Sequence, residues 1–126
     1  MIVKHVQEVA INHMDRPGFS NMDARYMLTA DDGCPRYALR LMEWAPGGQT
    51  SYHRHKEEHE MFVLQGEAIA VDGENKERRL HAGDALYISP CEGHQIKNAG
   101  SGILKMICTV PIFPGMDGKS TSPCDE

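Results

Sequence analysis

The chain has 126 residues, a mass of 14.1 kDa and a formal net charge of −5. That size points to one domain, and the acidic balance argues against nucleic acid as the main partner. The longest clean apolar run, Met61–Leu64, is far short of the ~20 residues a membrane helix needs. Met1–Glu8 mixes charged and apolar residues without a basic-then-apolar leader pattern, so a cytoplasmic location is expected. Cys34, Cys91, Cys108 and Cys124 form no C-x-x-C pair. In that compartment they are expected as reduced thiols rather than as a disulfide framework.

Twelve glycines and seven prolines punctuate the chain. Between them the β-branched, aromatic and Leu/Met runs predict strands at Ile2–Val9, Arg25–Thr29, Tyr37–Trp44, Thr50–His55 and Glu60–Leu64. Further strands are predicted at Ala68–Val71, Lys76–Leu80, Ala85–Ile88, His94–Asn98 and Ile103–Val110. Explicit turn chemistry separates them, as at Ala45-Pro-Gly-Gly48, Asp72-Gly-Glu-Asn75 and Ala99-Gly-Ser-Gly102. No segment keeps a helical apolar period over three turns, so the expected class is an all-β sandwich or barrel. Residues 1–111 are expected to form the barrel, and residues 112–126 a partly flexible tail.

The histidines carry the chemical signal. His53-Arg-His-Lys-Glu-Glu-His59 places three in one window. His53 and His55 are two apart and share a face of any strand. Imidazole is the commonest ligand for first-row divalent metals, so the pair can serve one ion. Taken alone, the window also reads as a solvated charged turn.

The second half of the chain decides between these readings. Gly47, five residues, His53-x-His55, three residues, His59, six residues and Gly66 form one pattern. Gly83, five residues, Ser89, Pro90, Cys91, Glu92, Gly93, His94, three residues and Asn98 form a second. Together, over roughly Val3 to Pro111, they resemble the two motifs of the cupins. Ser89 stands where that family usually has Pro, and Cys91 where it has Gly. Gly93 is expected to supply the freedom Cys91 lacks.

The resemblance implies a jelly-roll barrel with one divalent transition metal (Mn, Fe, Ni, Cu or Zn) inside it. It implies His94 as a ligand beside His53 and His55. The usual fourth ligand is Glu, and Glu60 is present. His59 and Glu60 are adjacent and must face opposite sides of a strand. The six-residue gap to Gly66 fits His59, so the expected set is His53, His55, His59 and His94. Four neutral imidazoles leave the metal charge uncompensated, which favours an anionic or enolisable small molecule.

Arg40 is mid-strand among apolar neighbours, either as an anion clamp inside the barrel or as an outward surface residue. Cys108 lies in phase with Met106, and the resemblance implies that this strand lines the cavity. Arg40, Met106 and Cys108 are therefore the candidate substrate contacts. Cys91 reads as a loop thiol. His5, His13 and His81 lack motif support and read as surface residues. The resemblance also implies a homodimer, with the N-terminal strand available for exchange across a two-fold axis. The leading expectation is a dioxygenase-like oxidoreductase. The alternatives are a Zn-dependent sugar or keto-acid isomerase and a non-catalytic binding module.

Overall fold

In the computed structural model, which describes residues 1–125, the chain is almost entirely strand and turn. The strands are β1 (Asn12–His13), β2 (Ser20–Leu28), β3 (Tyr37–Gln49), β4 (His59–Gln65) and β5 (Glu67–Val71). They continue as β6 (Glu77–His81), β7 (Ala85–Ile88), β8 (Gln95–Asn98) and β9 (Leu104–Pro111). All pairings between them are antiparallel. The order β6-β5-β8-β3-β9-β4-β7 makes one curled sheet, and β2 and β1 extend it on the other side of β3.

Alternation decides what this sheet encloses. Along β3, Ala38, Arg40, Met42 and Trp44 are buried, and along β9, Leu104, Met106, Cys108 and Val110 are. The register pairs Arg40 with Cys108 and Met42 with Met106. It also sets Met61 of β4 opposite Cys108 and Val63 opposite Met106. Inward side chains thus meet in rows across three strands, as the two-residue period of a strand requires. His59, two residues before Met61, shares its buried face, and Glu60 is exposed.

Three expectations are corrected. No strand forms over Ile2–Val9. Val6–Glu8 is a short 3-10 turn whose His5 side chain accepts from the Gln7 amide, and Ile2 and Val3 are exposed. The polar residues there interrupt any alternation that could bury one face. The strand expected over Thr50–His55 is reduced to a single bridge between His53 and His94, because side chains take the ladder positions before it: the Ile96 amide donates to Thr50 Oγ1 and Gln95 Nε2 donates to the Thr50 carbonyl. Cys91 and Cys124 are disulfide-bonded across a separation of 33 residues, which leaves Cys34 and Cys108 as thiols. No sequence spacing announces this pair, because only the path of the terminal segment brings the two loops together.

The β8 approach also differs in detail. Cys91 itself takes the left-handed backbone, with φ 59°, where glycine would be unstrained. At Gly93 a Cβ would sit 2.5 Å from the Tyr52 hydroxyl, so a larger residue there would displace the Tyr52 ring.

Met106 is fully buried in the middle of the inward rows. Met106→Ala is expected to cost about 2–5 kcal/mol in urea unfolding. An unchanged midpoint would contradict the packing described.

Candidate metal centre

His53, His55 and His94 bring ring nitrogens together inside the barrel, and His59 packs against that trio. β4 delivers His59. The loop before it delivers His53 and His55, and His94 lies directly before β8. Ring centroids are 4.6 Å apart for His53 and His94, 4.7 Å for His55 and His59, and 5.2 Å for His59 and His94.

Backbone carbonyls set the tautomers. His53 Nδ1 donates to the Ser51 carbonyl, His55 Nδ1 to the Glu57 carbonyl and His94 Nδ1 to the Glu92 carbonyl, each at 2.8 Å. A carbonyl oxygen only accepts, so each Nδ1 carries the proton and each Nε2 keeps its lone pair. Ring nitrogens of these three residues lie within 4.8 Å of one another.

His59 completes the cluster differently. Its Nδ1 lies 2.9 Å from Cys108 Sγ, and its Nε2 lies 2.9 Å from His55 Nε2. The His55 nitrogen is already bare, so that short approach needs either an Nε2–H on His59 donating to it or a cation between the two rings. A donor set of neutral imidazoles fits a borderline divalent ion. Burial raises the Cys108 thiol to about 12, so it stays protonated behind His59.

The cluster forms one end of a cavity of about 310 Å³. Met14, Phe19, Met42, Trp44, Met61 and Ile96 give it apolar walls, and Arg40 lines it too. Met106 and Cys108 lie outside the lining, in the core behind it. Sequence reasoning missed the contribution of the terminal segment. Lys119 and Thr121 form part of the wall, and Gly118 accepts from Arg40 Nη2 at 3.3 Å.

Glu57 fastens that segment. It reads in sequence as part of a polar turn, yet it is only 2% exposed. Its carboxylate accepts from the Ser122 amide and hydroxyl, each at 2.9 Å. The Ser122 carbonyl accepts from the Lys56 amide at 2.9 Å. The same short loop thus orients His55 through the Glu57 carbonyl and anchors the cavity wall through its carboxylate.

Burial is the main cause holding all four imidazoles below their ordinary range, His59 well below it and His94 down to about 4. Unfolded histidine titrates near 6.5. Between those values the unfolded chain binds more protons than the folded one, so stability is full above pH ~6.5 and falls toward pH ~4. Metal-stripped protein should lose on the order of 3 kcal/mol through His94 alone over that window, measured by urea unfolding. A flat stability profile would contradict neutral buried imidazoles.

The cupin domain model of protein families matches residues 40–110. Among curated proteins, auxin-binding protein 1 of Arabidopsis thaliana is 26% identical over 117 residues, covering 86% of this chain. The chain spans 58% of that protein's length. Among solved structures, the polyketide cyclase RemF of Streptomyces resistomycificus superposes with a TM-score of 0.83 at 25% identity, over 97% of this chain and 87% of that one. A predicted oxalate decarboxylase of Thermotoga maritima superposes with a TM-score of 0.78 at 21% identity, over 89% of this chain and 100% of that one. The second of these likenesses speaks to the fold alone. The motif match, the curled antiparallel sheet and the inward histidines agree: the chain belongs to the cupin family.

Proposed function

We propose that the protein is a metal-dependent enzyme acting on a small carbonyl compound that can form an enolate. The observation that carries this reading is the set of three Nδ1–H bonds to backbone carbonyls, which leaves bare imidazole nitrogens converging in an apolar-walled cavity. His53, His55, His59 and His94 would hold one divalent ion, drawn from Mn, Fe, Ni, Cu or Zn. Such an ion, when bound, supplies Lewis acidity toward a carbonyl oxygen.

The chain's own part is to position and to shield. Backbone carbonyls hold His53, His55 and His94 in one tautomer, so no reorganisation of these rings is needed when the ligand arrives. Met42, Trp44, Met61 and Ile96 exclude water from the ligand's apolar body. Likeness to a polyketide cyclase over nearly the whole chain supports a redox-neutral outcome, such as carbon–carbon bond formation or isomerisation. The dioxygenase outcome expected from the motifs shares the same enolisation step and differs in consuming O₂.

Protein purified without chelators or a metal column should carry about one equivalent of metal per chain. His53→Ala/His94→Ala should lose at least tenfold of it. The loaded protein should exchange the central protons of pentane-2,4-dione for deuterium in D₂O faster than buffer and faster than the double variant, by NMR. Equal metal in both proteins, or no enzyme-dependent exchange, would overturn the reading. An oxygen electrode run on the same samples separates the two outcomes.

A homodimer belongs to the same proposal. Phe62 and Leu64 of β4 and Tyr87 of β7 are exposed on the outer face of neighbouring strands, an apolar surface of the kind that dimers cover. Light scattering should give twice the chain mass, and Phe62→Glu should return the monomer. A monomeric parent protein would contradict this.

A further inference from the structure

The cavity has a charge pattern opposite to that of the chain. The protein carries −5 overall, yet Arg16, Arg40, Arg54 and Lys119 line the cavity and, among the described residues, no Asp or Glu does. Lys119 is neutralised at the rim by Asp31, 2.8 Å away. Arg40 is not neutralised: among the described residues it has no carboxylate partner within salt-bridge distance. Its side chain belongs to a residue only 7% exposed. A buried cation without a counter-ion is costly unless something else supplies the charge.

Hydrogen-bond accounting leads to the same place. Three buried side-chain nitrogens among the described residues lack a partner: Arg25 Nε, Arg40 Nε and Trp44 Nε1. Two of them, on Arg40 and Trp44, belong to side chains that line this cavity, both from the inward row of β3. Both are donors, and each awaits an acceptor. Arg40 donates from Nη2 to the Gly118 carbonyl, and its guanidinium carbon lies 5.9 Å from the Tyr26 ring centre. Tyr26 and the terminal segment therefore hold the planar fork in place, and a fixed guanidinium fork matches a carboxylate.

Resting on the enolising reading above, we propose that the substrate is a monocarboxylate with an apolar body and a carbonyl group. Arg40 receives its carboxylate. The carbonyl faces the histidines, and the methionine and Ile96 walls take the apolar part. Arg40 is thus a specificity-determining residue, and the ligand supplies the missing counter-ion.

The chain has a single tryptophan, Trp44, so its fluorescence reports occupancy of this cavity. The probes are 4-methyl-2-oxopentanoate and its amide, which differ in charge and little in size. Wild-type protein should bind the acid at least tenfold more tightly than the amide, both metal-loaded and after EDTA treatment. Arg40→Gln should erase that preference while keeping its metal content and its amide affinity. Arg40→Lys, which retains charge but not the fork, should fall between them. Equal binding of acid and amide by wild type overturns the proposal even if Arg40→Gln fails to fold. A preference that survives in folded Arg40→Gln, or that vanishes with EDTA alone, also overturns it. A preference that persists without metal and needs Arg40 supports the clamp even if the enolising reading fails.

Discussion

Three hydrogen bonds decide what this barrel can do. Each runs from an imidazole Nδ1 to a carbonyl oxygen two residues away along the chain, at Ser51, Glu57 and Glu92. They are local bonds within irregular backbone. The segment before β4 leaves the regular ladder, keeping the bridge between His53 and His94 and single backbone bonds such as those from the Thr50 amide to the Ile96 carbonyl and from the Cys91 amide to the His55 carbonyl. Three side chains thereby present lone pairs rather than protons to a common point. Burial then holds the rings neutral. Metal affinity needs unprotonated imidazole, so tautomer and burial act in the same direction.

The fourth imidazole is set by packing instead. His59 sits on a regular strand, and its Nδ1 meets the Cys108 sulfur on the neighbouring strand. Cys108 and Arg40 are cross-strand partners. One row of the sheet therefore links the guanidinium, the thiol behind His59 and the histidine cluster. The terminal segment closes the same cavity from the opposite direction, held by Glu57 and by the Cys91–Cys124 disulfide. Histidine cluster, cationic patch and wall are thus one mechanical unit, although their residues are scattered from β3 to the end of the described chain.

Much of this was legible in the sequence where period and spacing carry it. The alternation in Tyr37–Trp44 and Ile103–Val110 places β3 and β9, and the adjacency of His59 and Glu60 leaves only one of them inward. The turn glycines carry the two motifs, and the motifs carry the family. What was not legible depends on contacts between distant loops. Arg40 reads first as an outward surface residue, with an interior clamp as the alternative, until the register sets it opposite Cys108. Glu57 reads as a solvated turn residue, because its partner Ser122 lies 65 positions away. The disulfide has the same character. Ile2–Val9 failed for a different reason: its apolar residues have no regular face to bury, so a local 3-10 turn wins.

The most direct test of the proposed metal centre is X-ray absorption at the edge of the metal that co-purifies with the protein. Four inward imidazoles, with the Cys108 thiol raised to about 12 and kept behind His59, predict nitrogen neighbours at ~2.0–2.2 Å. They also predict the outer-shell scattering of histidine rings and no sulfur at bonding distance. A sulfur neighbour, or a light-atom shell without the imidazole pattern, would contradict a site built on these four histidines.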